Sequence, residues 1–404
     1  MAALADHSSA MHDAYPEDHL LVICDFDSLA LNSGKIREGI LETMRWFQIQ
    51  PRTSVGCYTK RNPNSRHRML RQLRNAGRRF RLDTGEIPFL CGQEDREPEE
   101  RIQEAKKYFN ARGYRTIAAM TGDSDISSPY VTGDDSDELL TMHLGTESRV
   151  RTEHYYRISL SHLMREEALP TSIRLCWHGL NDHANLQQFI QSDILWGELD
   201  IRTGPDAGRL IARHDSFKKS PLKEGERLLP AEECLERFRR EDRNAKVDFK
   251  EGGEVVHRTL ELLQQMEFGD DQLWFHANTR TLSKPEFQRI AELYPGAILQ
   301  TTVDHLSPLI LTTPKIARSK LNQLRSWGIN QYLLSWRIRR KVELLDRLQK
   351  WDHRVNLYQI PDLEEFLRAV LLMPDAITTD FNFPDWNYFG RGSGEDMIWH
   401  SYAG

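Results

Sequence analysis

Cysteine is scarce in this chain: five among 404 residues, at 24, 57, 91, 176 and 234, with no Cys-x-x-Cys spacing. This excludes a disulfide framework and a cysteine zinc site. It points to reduced thiols, mostly buried in strands, of a cytoplasmic protein. Long hydrophobic runs are missing too. No apolar stretch approaches the roughly 18 residues of a membrane-spanning helix, so no span is expected. Met1–Glu17 has no apolar core segment, which argues against a secretory signal. Its Ser, His, Asp and Ala residues show no periodicity and predict a flexible tail over 1–17. Glycine and proline, 24 and 17 residues, are too few for collagen-like or low-complexity classes. There is no basic excess either. Lys and Arg number 54 against 60 Asp and Glu, a net charge of -6, which argues against a nucleic-acid coat protein.

What is present suits a folded αβ protein. Hydrophobic residues make up 39% and charged residues 28%. The length exceeds one ordinary domain. Leu20–Cys24 is a short apolar run ending in Asp25-Phe26-Asp27, and it reads as a buried strand with carboxylates at its end. A helix over 36–47, a strand over 54–58 ending at Thr59, helices over 66–79 and 99–111, and a strand over 116–120 ending in Gly122-Asp123-Ser124-Asp125 follow. Strands alternating with helices predict a Rossmann-type parallel sheet over 18–150, with polar groups at the carboxyl ends where ligands bind.

The second stretch repeats the alternation. Strands are expected at 173–178, 195–202, 210–215, 245–250, 272–278, 297–303, 332–337, 355–360 and 377–381. The turn-rich 203–208 suggests that the third of these returns as a hairpin. Eight βα units remain, and they predict a (β/α)8 TIM barrel over 171–390, followed by a tail over 391–404.

Ionisable residues sit at the ends of these strands. Glu198 and Asp200 are two apart, as are Asp248 and Lys250, so each pair projects from one face. Burying such charges without partners would cost several kcal/mol per ion. Three converging carboxylates would make an oxygen site for Mg2+ or Ca2+. His178 and His214 suit general acid and base work, and Lys250 suits a phosphate. His276 and Asn278 also stand at a strand end.

The set His178-Gly179-Leu180-Asn181, Glu198-Leu199-Asp200, His214-Asp215, Asp248-Phe249-Lys250 and Ile377–Phe381 resembles the glycerophosphodiester phosphodiesterase-like superfamily of TIM barrels. The menorin-like and sphingomyelinase D-like branches are nearest, since Asn181 follows their His-x-x-Asn form. The resemblance implies that Glu198, Asp200 and Asp248 bind the metal and that His178 and His214 move protons. It also implies that Lys250 contacts phosphate, with Asn181 and the aromatics Tyr358 and Trp336 about the substrate.

Asp25-Phe26-Asp27, Thr59 and Gly122-Asp123-Ser124-Asp125 resemble motifs one, two and four of the haloacid dehalogenase (HAD) superfamily. That likeness implies a nucleophilic Asp25, a proton-shuttling Asp27, a phosphoryl-binding Thr59, and a metal held by Asp25 and Asp123. The third-motif lysine has no counterpart at the helix start, where Arg96-Glu97-Pro98 stands. Residues 60–81 carry nine Lys or Arg and no Asp or Glu, a segment able to hold a polyanion such as RNA.

The expected activity is a metal-dependent phosphoric ester hydrolase. Its barrel would cleave a small-molecule or lipid-like phosphodiester, and its first domain would act on monoesters. Nucleic-acid end processing and a non-catalytic scaffold are the alternatives. Oligomeric state is not legible in the sequence.

Overall fold

The apolar run at 20–24 becomes a strand, β1 (His19–Asp25), buried from Leu20 onward, at the centre of a parallel sheet. The computed structural model describes residues 2–29, 36, 38–92, 96–121, 130–131, 139–143, 169–206, 208–379, 381–382, 387–388 and 400–401. Two units divide the chain, meeting in sequence at Pro170 and Thr171.

The first unit adds β2 (Thr53–Tyr58), β3 (Phe89–Leu90), β4 (Tyr114–Thr121), β5 (Tyr130–Val131) and β6 (Leu139–His143). The order is β3-β2-β1-β4-β6-β5, with every pairing parallel except the last. The order reverses between β1 and β4, so the carboxyl end of β1, where Asp25 lies, borders the crevice of a doubly wound sheet, with Thr59 at the end of the neighbouring β2. Residues 1–17 are not the featureless tail expected: Ala2–Ala14 is a helix. His7 Nε2 lies 2.9 Å from the Ile117 carbonyl oxygen and His12 Nε2 2.9 Å from Thr53 Oγ1, contacts that tie the helix to the sheet. The basic segment folds as a helix over Arg66–Gly77 between short 3-10 turns, with Met69 and Leu73 buried and Arg68, Arg71 and Arg74 exposed. Asp123 lies outside the described residues.

In the second unit the strands are β7 (Arg174–Trp177), β8 (Trp196–Thr203), β9 (Leu210–Ala212), β10 (Leu229–Pro230), β11 (Asn244–Phe249), β12 (Leu273–His276), β13 (Ile298–Thr302), β14 (Gln331–Ser335), β15 (Arg354–Tyr358) and β16 (Ala376–Thr379). β16 pairs parallel with β7 and β7 with β8, which closes eight parallel strands into a barrel. β9 returns antiparallel on β8, as the turn residues suggested, with Gly208 at a φ of +102° that an L side chain rarely adopts. His214 and Asp215 lie beyond that strand, in the loop it opens.

Side-chain alternation sorts the barrel interior by height. Cys176, Trp196, Trp274, Ile298 and Ala376 pack together as one apolar layer, the two indoles meeting edge to face at 5.7 Å. Two residues further along these strands the inward positions turn polar, from His178, Glu198 and His276 to Gln300 and Thr378. The polar layer is therefore floored by an apolar one and faces the carboxyl ends.

The five cysteines are free, as expected, but Cys234 lies on the helix Ala231–Arg240 and not on a strand. No described helix is long and apolar enough to cross a membrane. Most of 391–404 lies outside the described residues, but His400–Ser401 is a short strand paired with Asn387–Tyr388.

Candidate active site

β8 and β11 lie side by side in parallel register, Glu198 opposite Lys246 and Asp200 opposite Asp248. The strand period therefore brings the two pairs read from the sequence onto one inward face. Oxygens of Glu198, Asp200 and Asp248 all lie within 4.8 Å of one another, and all three residues are buried.

Two ammonium groups serve these three carboxylates. Lys250 Nζ bridges Asp200 Oδ1 at 2.8 Å and Asp248 Oδ2 at 2.6 Å. Lys246, which the sequence reading passed over, is fully buried and donates to Glu198 Oε2 at 3.0 Å and Thr378 Oγ1 at 2.9 Å. Its signal was in the sequence all along, since Lys246, Asp248 and Lys250 share one parity. Asn181 Nδ2 donates to Asp200 Oδ2 at 2.6 Å, and the Asp200 amide returns a bond to Asn181 Oδ1 at 3.2 Å.

The electrostatics follow from this geometry. Burial pushes the Glu198 carboxyl up, but Lys246, His178 and Lys250 together hold it well below the usual carboxylate range. Asp200 is also lowered: burial pushes it up, but Lys250, by charge and hydrogen bond, and the His214 charge together bring it down. Asp248 goes the other way. Burial, with Asp200 and Glu198 nearby, pushes it to about 7 despite Lys250. Two cations do not neutralise three carboxylates packed this closely, and the strain falls on Asp248. An all-oxygen donor set with one negative charge in excess fits a hard divalent cation such as Mg2+ or Ca2+. Asp200 Oδ1, buried and paired with Lys250 Nζ at 2.8 Å, keeps a further lone pair to give.

His178, His214, Lys250 and Tyr358 line the cavity of about 180 Å3 above the carboxylates. His214 Nδ1 lies 3.0 Å from Asp215 Oδ1, which orients the ring. Tyr358 donates to Asp304 Oδ2 at 2.9 Å, and Asp304 also accepts from the Ser335 amide at 2.9 Å. His276 joins the cavity wall, its Nδ1 3.2 Å from Gln300 Nε2. Burial and then Lys246 lower its pKa to about 3, which favours the neutral imidazole. Gln300 in turn accepts from Asn356, which also donates to Thr378, completing a polar belt around the barrel. Only the strand topology brings these residues together, and for that reason spacing along the chain did not reveal them.

Two expected residues lie elsewhere. Trp336 is buried, donates from Nε1 to Glu365 Oε2 at 2.7 Å and is covered by the Lys341 ammonium at 3.9 Å. It is not among the residues lining the cavity. Asn278 is exposed and caps a turn by accepting from the Arg280 amide.

In the first unit, Asp25 is buried and accepts from Ser28 Oγ at 2.6 Å and from the Asp27 amide at 3.0 Å. Asp27 accepts from Thr59 Oγ1 at 2.8 Å and from the Lys60 amide at 2.9 Å, and pairs with Arg61 at 2.8 Å. Burial raises Asp25 to about 6 in spite of Ser28, with the Arg101 charge drawing it down. Arg101 is buried at the start of the helix Pro98–Asn110, one turn beyond Arg96-Glu97-Pro98, where a third-motif cation is expected.

No family model matches the chain, and no curated protein matches it. Similar solved structures cover about half of it. A phosphodiesterase of Oleispira antarctica in complex with sn-glycerol-3-phosphate is 16% identical, covering 52% of this chain and 93% of its own, with a TM-score of 0.41. Glycerophosphodiester phosphodiesterases of Agrobacterium tumefaciens and Parabacteroides distasonis are 13% and 14% identical. They cover 50% and 51% of this chain and 94% and 82% of their own, with TM-scores of 0.36 and 0.35. Likeness at this level carries no argument about activity, which rests instead on the side chains.

Proposed function

We propose that the barrel is a metal-dependent phosphodiesterase acting on a small-molecule or lipid-like phosphodiester. One observation carries this reading: three buried carboxylates within 4.8 Å, beneath a cavity whose lining includes His178, His214 and Lys250. Glu198, Asp200 and Asp248 would hold the divalent cation, which when bound would supply positive charge to the phosphoryl oxygens. Lys250 adds a fixed positive charge on the same side. Of His178 and His214, one removes the proton from the attacking hydroxyl and the other returns a proton to the leaving oxygen. The attacking group is water or a hydroxyl of the substrate, the second giving a cyclic phosphate. Asp215 holds the His214 ring for this work.

Phosphodiesters and monoesters presented with Mg2+ or with a chelator test the reading, using His178→Ala and Asp25→Asn as controls for each unit. Diester cleavage is expected to need Mg2+ and His178. Cleavage that survives His178→Ala would overturn the assignment.

A second reading concerns the first unit, favoured by the meeting of Asp25, Asp27 and Thr59 at adjacent strand ends. It is a HAD-type phosphomonoesterase, with Asp25 attacking phosphorus and Arg101 supplying positive charge. Monoester hydrolysis lost in Asp25→Asn alone supports it. A nucleic-acid substrate is the competing identity, resting on exposed Arg68, Arg71 and Arg74. RNA binding that weakens with salt and with Arg71→Glu would favour it.

A further inference from the structure

The phosphodiesterase reading leaves a second cavity unassigned. It has a volume of about 300 Å3, opens beside His178 and His214, and is walled on its outer side by the loop following β9. Arg213 lines it and is nine-tenths buried, its side chain 10% exposed. Nη2 donates to the Ser220 carbonyl at 3.0 Å and approaches Glu226 Oε1 at 3.3 Å. The guanidinium lies 4.5 Å from the Phe217 ring centre. Nη1, also buried, has no hydrogen-bond partner. A buried N–H without an acceptor is costly and uncommon, and such an exception calls for an explanation.

Three acidic residues on the outer wall are already engaged, and the fourth lining carboxylate, Asp200, belongs to the cation site. Asp182 accepts from the Asn185 amide and side chain at 2.8 and 2.7 Å. Asp215 holds His214 and Lys219, at 3.0 and 2.9 Å. Glu226 takes the Lys223 amide as well as Arg213. On this outer wall donors remain: Arg213, whose buried Nη1 is unsatisfied, and the exposed Arg227 guanidinium. A ligand group completing this wall must bring acceptors, and a guanidinium favours an oxyanion.

We propose that this cavity receives the leaving-group half of the phosphodiester and that Arg213 selects substrates bearing a second oxyanion there, a carboxylate or a phosphate. The proposal rests on the phosphodiesterase reading and names its substrate class. Calorimetric binding to the Mg2+-loaded protein tests it with matched pairs. O-phosphoserine and phosphoethanolamine differ only by a carboxylate. Ethylene glycol bisphosphate and 2-hydroxyethyl phosphate differ only by a second phosphate. At least one pair should differ by about tenfold or more in favour of the second anion, and the favoured pair says which anion is meant. Arg213→Gln should bring that ratio close to one. Arg227→Gln, on the exposed rim, should lower it even if Arg213→Gln does not fold. Equal affinities within both pairs, or a ratio unmoved in a folded Arg213→Gln, would overturn the subsite. Failure of all four compounds to bind would overturn the phosphodiesterase reading and this inference together.

Discussion

Lys246 Nζ lies 3.0 Å from Glu198 Oε2, with the two side chains only 1% and 4% exposed. The ammonium also donates to Thr378 and sits 4.7 Å from the centre of the Trp274 ring. The carboxylate nearest the apolar floor thus has a cation built in beside it, and it stays ionised where burial alone would neutralise it.

Removing that cation should be costly. Lys246→Met is expected to destabilise the metal-free protein by about 3–5 kcal/mol, because it leaves a buried carboxylate uncompensated. Lys246→Met combined with Glu198→Leu should recover much of the loss. Urea unfolding in chelator measures both, and a single-variant loss under about 1 kcal/mol would contradict the account. The signs are consistent. Glu198 is lowered, so its contribution is present above its unfolded pKa and lost as pH falls. Lys246 is raised, so its contribution is present below its unfolded pKa and lost only as pH rises through the higher folded value.

Asp248 has the opposite linkage. Raised from 3.8 to about 7, chiefly by burial, it favours the folded state in its protonated form. Its own contribution to the stability of the metal-free protein should therefore fall as pH rises from about 4 through 7, against the opposite contribution of His276, whose pKa is lowered. Asp248→Asn should remove the Asp248 contribution from the slope, and Mg2+ should oppose it by favouring the ionised form. Thermal melts across pH, with chelator and with Mg2+, read all three effects. A slope unchanged in Asp248→Asn would contradict the assignment.

The bond between His214 and Asp215 predicts graded losses. His214→Ala should lower kcat by about 10²–10⁴-fold. Asp215→Asn, which disturbs the ring's orientation and tautomer along with the Lys219 pair, should cost about 10–100-fold and shift one limb of the pH–rate profile. Equal losses with an unshifted profile would mean that Asp215 serves the loop and not the histidine.

The sequence disclosed the barrel because parallel strands buried on both faces read as short apolar runs, and because polar residues recur where those runs end. The Glu198/Asp200 and Asp248/Lys250 pairs were legible for a simpler reason: each lies on one strand, where spacing two means one face. Gln300, Asn356 and Thr378 were not, since they meet only across strands whose order the chain does not state. Trp336 misled because a tryptophan at a strand end looks like a pocket wall, while its N–H needed a buried acceptor and found Glu365. The Ala2–Ala14 helix showed no apolar stripe, and its contacts with the sheet run through His7 and His12. Arg101 escaped because it lies three residues inside a helix whose first turn, with Glu99 and Glu100, reads as acidic.

Packing around the barrel gives a prediction free of site chemistry. A Cβ on Gly197 would lie 2.5 Å from Leu180 Cδ1, 2.7 Å from Phe238 Cζ and 2.8 Å from Phe189 Cε1. Gly197→Ala should cost about 1–3 kcal/mol by overpacking. Chemical denaturation at pH 7 checks this, and a neutral result would mean that the two helices carrying those rings give way easily.

The central claim is that Glu198, Asp200 and Asp248 act together as one cation site serving phosphodiester cleavage. Calorimetric titration of Mg2+ into chelator-stripped protein, wild type beside Asp200→Asn and with diester turnover measured on the same samples, tests it most directly. The account predicts a binding event in the wild type that disappears in the variant together with cleavage. An Asp200→Asn protein that binds Mg2+ and cleaves the diester as the wild type does would contradict it.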